Sequence, residues 1–287
     1  MAYEQQWSST HPGCLLVLVD QSESMDDPFG GVSLGGGTSK SEQVAAVINS
    51  VLDDYLRLNA SGNTFKERAQ FAVIGYSGAS VRSALPSPLN AEDFVTLTQL
   101  HGAPLRTETR TQAKRGPDGQ QIEVKSTAHI WVEAVAVGQT PMCGALRQAT
   151  ELTARWSAAH PESYPPVVIN ISDGLATDGN VEAAARPLLD IQTLDGKLLL
   201  FNCHITKKQE PAVEFARSEA EIPATQEART LFWLSSSIPP SARRAFELTT
   251  KRKLEDGTRG YIFNGNALSV RKMLAFGTTS ANLPDPR

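Results

Sequence analysis

Asp20, Ser22 and Ser24 stand as D-x-S-x-S directly after the apolar run CLLVLV, residues 14–19, and no Lys or Arg follows until Lys40. Hydroxyls and carboxylates gathered without imidazole or thiolate suit a hard divalent cation, which for Mg2+ means about six oxygens at roughly 2.0–2.1 Å. Two further oxygen-bearing positions follow the same logic: Thr140 in GQTP ahead of a helical stripe, and Asp173 closing VVINIS. In an open α/β sheet the loops at the carboxyl ends of the strands meet in a crevice where the strand order reverses, and ligands bind there. Taken singly, each residue has an ordinary local role: Ser22 or Ser24 ending a strand, Thr140 capping a helix, Asp173-Gly174 forming an Asx-turn. Their joint placement at strand ends is what points to a site.

The elements that must position them alternate between two hydrophobic periods, as strands interleaved with helices do around a mainly parallel sheet. CLLVLVD reads as a central strand, apolar without alternation because it is covered on both faces. Apolar positions 44, 47, 48, 51, 52 and 55 form a helical stripe, and Ser39 with Glu42 has the form of a capping box, so a helix is expected over about 39–58. Strands are expected at 69–76, at 81–85 on an edge, at 167–174, 197–205 and 260–264; helices at 181–192, 241–254 and 267–276. Thr140 and Pro141 sit where an N-cap and first helical residue belong, ahead of a stripe at 142, 145, 146, 149, 152, 153 and 156. Thr-rich polar runs flanking Gly116-Pro117-Asp118-Gly119 read as a β-hairpin inserted at about 105–128, with solvated faces. The segment 207–240 carries no clear period, and its one strongly apolar piece is Leu231-Phe232-Trp233-Leu234. The expected fold is a three-layer, Rossmann-like, doubly wound, mostly parallel sheet flanked by helices, a single domain over 1–287.

Composition narrows the function classes. The 287 residues carry 27 Lys and Arg against 31 Asp and Glu, a net charge of −4, with no basic run to follow a phosphate backbone or an anionic membrane. Neither nucleic acid nor a membrane is expected as partner. Cys14, Cys143 and Cys203 lie in apolar stretches without C-x-x-C spacing, which implies buried thiols rather than disulfides or a zinc site. The N-terminus lacks the basic start and apolar run of a signal peptide, so a cytoplasmic location is expected.

With D-x-S-x-S after strand one, FAVIGYSG on strand two, GQTPMCGAL at the Thr loop, VINISDG at the Asp loop and GYIFNGNALSVRKML near the end, the sequence resembles the von Willebrand factor A domain. That family carries a metal-ion-dependent adhesion site with the pattern D-x-S-x-S, Thr, Asp. The resemblance implies Mg2+, with Mn2+ or Ca2+ as substitutes, held directly by Ser22, Ser24 and Thr140 and through water by Asp20 and Asp173. It implies a binding module rather than an enzyme, whose electron-poor metal takes an Asp or Glu from a partner protein. Stand-alone intracellular members resemble proteins that accompany kinases, phosphatases or ATPases of bacterial stress-response, signalling or defence systems.

The chain departs from that pattern in its glycine-rich loop, 26–39, where Asp26 and Asp27 add to the cation's surroundings, occupy its open position and block a partner, or remain solvated. Two alternatives stay open: a metal-dependent hydrolase using Asp20 or Asp173, and a metal-free scaffold. The hydrolase lacks an accompanying His or Lys as proton shuttle, since the five histidines are scattered. GGGTSK fails the phosphate-loop spacing, and Ser77 in GYSGA reads as a turn residue rather than a nucleophile. Trp131 and the Leu231–Leu234 cluster are expected to be buried.

Overall fold

A computed structural model describes residues 3–29, 39–115, 121–174, 176–207, 210–250, 253–265, 269 and 272–273. Most of the glycine-rich loop, the hairpin turn at 116–120 and most of the helix expected over 267–276 lie outside them. The chain runs β1 (Gly13–Asp20), α1 (Lys40–Asn59), the short pair β2 (Ala60–Ser61) and β3 (Thr64–Phe65), β4 (Ala69–Ser77), β5 (Ser80–Ser83) and α2 (Leu97–Gly102). Then come the hairpin β6 (Arg106–Arg115) and β7 (Gln121–Ile130), α3 (Met142–Ala159), β8 (Val167–Ser172) and α4 (Val181–Leu189). A second short pair, β9 (Gln192–Thr193) and β10 (Gly196–Lys197), precedes β11 (Leu199–His204), β12 (Val213–Glu214), α5 (Gln226–Leu234), α6 (Pro240–Thr250) and β13 (Tyr261–Phe263).

Seven strands form the main sheet in the order β12-β13-β11-β8-β1-β4-β5. The five central strands are parallel, and β5 and β12 are antiparallel edges. From β1 the chain winds outward to β4 and β5, then returns to β8 on the other side of β1 and winds outward again to β11 and β13. This is the doubly wound, Rossmann-like arrangement, and its strand order reverses between β1 and β8. All eight residues of β1 are buried. Its odd-numbered side chains Leu15, Val17 and Val19 face the cluster containing α1 and α6, and Leu16 and Leu18 face α3, α4 and α5.

Both predicted helical stripes are buried at every position named, from Val44 to Tyr55 in α1 and from Met142 to Trp156 in α3. The α1 capping box is formed as expected, Ser39 accepting from the Glu42 N–H while the Glu42 carboxylate accepts from Ser39. Elsewhere tertiary context moves boundaries. The helix expected over 181–192 ends at Leu189 because the following residues fold back as the β9–β10 pair, which also takes Lys197 out of β11. Helix α3 begins one residue later than expected: Pro141, not Thr140, is its N-cap. The unassigned segment contains α5, which buries Leu231 and Phe232 but leaves Trp233 56% exposed, against the expectation of burial for the whole cluster. Trp233 lies under Arg259, whose guanidinium carbon is 4.9 Å from the ring centre.

Strands β6 and β7 pair over ten residues each as a sheet of their own, so the hairpin neither extends nor shields the main sheet. Its base is fastened to α1. The buried Asn49 side chain accepts from the N–H groups of Trp131 and Val132 at 2.9 and 3.0 Å and donates to the Val132 carbonyl at 2.7 Å. Trp131 is buried as expected and donates to the Leu100 carbonyl at 2.8 Å. Because Asn49→Leu would strand two donors and one acceptor away from water, it should destabilise the protein by roughly 2–4 kcal/mol in urea unfolding. A loss below about 1 kcal/mol would show that the hairpin base is held by apolar packing alone.

Candidate functional site

Asp20 ends β1 and Ser172 ends β8, on neighbouring parallel strands at the point of reversal. Asp20 is fully buried, and both of its oxygens are engaged: Oδ1 accepts from the Ser22 N–H at 2.9 Å and Oδ2 from the Ser172 hydroxyl at 2.9 Å. Ser172 in turn accepts from the Gly174 N–H at 2.9 Å, which folds the loop after β8 back over its own strand. Gly174 has φ +94°, and a Cβ there would lie 2.8 Å from His204 Nε2, so only glycine fits. That close approach lets His204 Nε2 reach the Asp173 carbonyl at 2.9 Å.

The loop after β1 is a 3-10 turn over Glu23–Asp26, pinned by Met25, which is fully buried. The turn brings the hydroxyls of Ser22 and Ser24 to 3.1 Å from one another. Glu23 and Asp26 are exposed. Asp27 pairs with Lys207 at 3.2 Å and with Lys40 at 3.8 Å, and its carbonyl accepts from the Lys40 N–H at 3.0 Å. A β-bridge between Pro28 and Ser39 closes the base of the glycine-rich loop beside these contacts.

Thr140 arrives on a third loop, fastened from two directions. Val137 N–H donates to the Gln21 carbonyl at 2.8 Å and Glu23 N–H to the Gly138 carbonyl at 2.9 Å, which ties the loop to the D-x-S-x-S turn. From the other side, Thr177 accepts from the Thr140 N–H at 3.1 Å and donates its own N–H to the Thr140 carbonyl at 3.0 Å. Asp178 then caps α3, accepting from Cys143 N–H at 2.9 Å and Gly144 N–H at 2.7 Å. Gly78, in the turn between β4 and β5, packs against Gly138 and donates to the Gln139 carbonyl at 2.8 Å. Ser77 thus sits in a hairpin turn and not in a strand-to-helix elbow.

All five sequence-predicted residues therefore lie on adjoining loops at one sheet edge. Asp20, Ser22, Thr140 and Asp173 are buried or nearly so, and Ser24 is half-buried. Three neighbours escape the motif. Ser172 and Asp178 hold the loops, and the Lys40 side chain, 2% exposed, places Nζ 3.3 Å from Asp173 Oδ2. The expectation that no Lys or His accompanies the acids is corrected here. Lys40 is separated from Asp20 by the glycine-rich loop, so only folding brings it back to the strand end. His204 is adjacent as well, but its second nitrogen lies 3.3 Å from the Tyr261 hydroxyl, and burial pulls its pKa down to about 4.

Two features show unmet negative charge. Burial, and then the neighbouring Asp173 carboxylate, push Asp20 up to about 6 despite the hydrogen bonds from Ser22 and Ser172 that oppose the rise. Asp173 Oδ1 is buried with no donor among the described residues. A cation among these oxygens would answer both, and the donor set, all hydroxyl and carboxylate, fits a hard ion. No cluster of three or more His, Cys, Asp and Glu side chains with metal-binding geometry occurs among the described residues, so such an ion would depend on the hydroxyls.

The class defined by this geometry is a Rossmann-like α/β fold with hydroxyls and carboxylates gathered at its switch point. No protein-family model matches the chain, and no curated protein does. Solved structures that are similar include proximal thread matrix protein 1 from the mussel byssus, at 16% identity and a TM-score of 0.37 over 69% of this chain and 39% of that one. The vWF domain of the type V pili tip protein Mfa5 from Porphyromonas gingivalis is similar at 17% identity and 0.30, over 58% and 39%. The PilB minor pilin from Streptococcus sanguinis is similar at 10% identity and 0.31, over 57% and 30%. The match thus spans well under half the length of each of these chains, and the fold assignment rests on the strand order and pairing described above.

The Asp20 environment has a pH signature. Its carboxyl is raised to about 6, above the roughly 3.9 of an unfolded chain. Between those values the native state keeps a proton that the unfolded state has released, so stability falls as pH climbs from about 4 to about 6. Above that the whole penalty, roughly 2–3 kcal/mol, is present. Asp20→Asn should therefore stabilise the metal-free protein by about that much at pH near 8 and by almost nothing near pH 3.5, in denaturant titrations with EDTA. A destabilised Asp20→Asn protein at the higher pH would contradict this reading of the site.

Proposed function

We propose that this protein is a binding module whose crevice holds a divalent cation, Mg2+ foremost, and uses it to capture an Asp or Glu side chain of a partner protein. The single observation that supports this best is the buried Oδ1 of Asp173, without a donor among the described residues, beside a buried Asp20. With Lys40 answering only one oxygen of Asp173, two buried carboxylates keep a net negative charge that an arriving cation would offset. Ser22, Ser24 and Thr140 would contact the ion, with Asp20 and Asp173 acting around them. The bound cation supplies a Lewis-acidic position for an incoming carboxylate.

Binding fits the residues better than turnover does. In support of binding, both Asp20 oxygens accept hydrogen bonds from protein donors, and Asp173 shares one oxygen with Lys40. The nitrogens of His204 lie against the Tyr261 hydroxyl and the Asp173 carbonyl rather than against either carboxylate. No helix among the described residues is long and apolar enough to cross a membrane. The kinases, phosphatases or ATPases suggested by the sequence resemblance are the first partners to try.

Isothermal titration with Mg2+ and Mn2+ should show one site in the wild type and none in Asp20→Ala or in Ser22→Ala/Ser24→Ala, with circular dichroism unchanged. Affinity capture from the native host should lose the partner in EDTA and in Asp20→Ala alike. Retention of the partner by Asp20→Ala would sink the proposal. Hydrolysis of a generic phosphoester that vanishes in Asp20→Ala would replace it with the hydrolase reading.

A further inference from the structure

Lys40 is the feature that the divalent-cation reading leaves unexplained. It opens α1 one residue after the capping Ser39, yet its side chain is 2% exposed where long cationic chains normally reach for water. The ammonium lies 3.3 Å from Asp173 Oδ2 and 3.8 Å from Asp27 Oδ2, while Asp27 is shared with Lys207 at 3.2 Å. Its backbone is also held, Lys40 N–H donating to the Asp27 carbonyl at 3.0 Å. A buried cation thus stands among oxygens suited to another cation, gripping one oxygen of Asp173, while the other has no donor among the described residues.

Charge counting shows what this does. Asp27 and Lys207 offset one another at the rim, so Asp20, Asp173 and Lys40 decide the charge of the crevice, one negative in total. A divalent ion makes the loaded site one positive. Without Lys40 the same ion would find two uncancelled carboxylates and leave a neutral site, with no charge left to draw in an acid. A unit charge a few ångströms from a divalent ion in a partly buried site changes its affinity by well over tenfold.

Resting on the proposed function, and going beyond it, we propose that Lys40 is a resident counter-cation that sets the selectivity of the site. It holds the affinity for the bare divalent ion low and keeps the loaded crevice net positive, so that metal and an anionic group of the partner bind together. Lys40 positions Asp173 and tunes the charge, without itself contacting the partner.

The test is Mn2+ titration, by calorimetry and by electron paramagnetic resonance of free Mn2+, on the whole chain as wild type, Lys40→Met, Lys40→Arg and Asp20→Ala. Lys40→Met should bind Mn2+ at least tenfold more tightly than wild type, and Lys40→Arg, which keeps the charge, within about threefold of it. Equal or weaker binding by Lys40→Met overturns the counter-cation role while leaving the metal site standing. Absence of Mn2+ binding in wild type and Lys40→Met alike removes the metal reading and this proposal with it. Should Lys40→Met fail to fold in EDTA, because Asp173 is left as an uncompensated buried charge, Mn2+ must restore its melting transition and raise it by more than it raises the wild type. Failure of Mn2+ to do so also overturns the proposal.

Discussion

Asp20 and Asp173 bring two carboxylates to the carboxyl ends of adjacent central strands, in a place the fold has almost emptied of water. Like charges at close range in a poorly solvated site repel strongly, and each must be answered by hydrogen bonds, by a cation or by a proton. The surroundings read as the set of answers. Ser172 and the Ser22 N–H serve Asp20, Lys40 serves one side of Asp173, and the other side of Asp173 has no donor among the described residues. The loops that close over the strand ends owe their conformations to these bonds.

A second layer fixes where those loops sit. The stretch after β8 performs three tasks within a few residues: Gly174 turns over His204, Thr177 clasps Thr140, and Asp178 caps α3. The charge of Asp178 at a helix N-terminus is favourable in its own right, and it ties the Thr140 loop to the Asp173 loop through the helix. Gly78 packs under Gly138, so even the β4–β5 turn contributes to the height at which Thr140 stands. The D-x-S-x-S turn is held independently, by Met25 in the core and by its backbone bonds to residues 137 and 138. Three loops from distant parts of the chain are therefore cross-linked through backbone groups and through the Thr177 and Asp178 side chains.

Periodicity made the scaffold legible. The stripes of α1 and α3 are buried at each expected position, because a helix packed on a sheet has no choice about which face it hides. The uninterrupted apolar run of β1 correctly implied a strand covered on both faces. Less was legible where local preference competes with tertiary contact. Pro141 displaced Thr140 from the cap because the Thr140 backbone is committed to Thr177. The β9–β10 turn cut short α4, and α5 rose from a segment without a clear period because its apolar residues fill only part of one face. Trp233 is exposed because Arg259 and Glu219 give its ring and its N–H partners at the surface.

The sequence by itself determined which residues carry oxygen at the ends of core strands, since hydrophobic run and polar break are both written in the order of residue types. It determined the alternation of strand and helix, and through it the doubly wound class and the crevice where Asp20, Ser22, Ser24, Thr140 and Asp173 would meet. Tertiary structure alone decided what shares that crevice with them. Lys40, Ser172, Asp178 and His204 reach it by strand order, loop closure and helix placement, none of which is encoded as a spacing. It also decided the charge of the site. Nothing in the chain marks a lysine twenty positions from Asp20 as its neighbour, and only folding brings its ammonium, 2% exposed, to within 3.3 Å of Asp173.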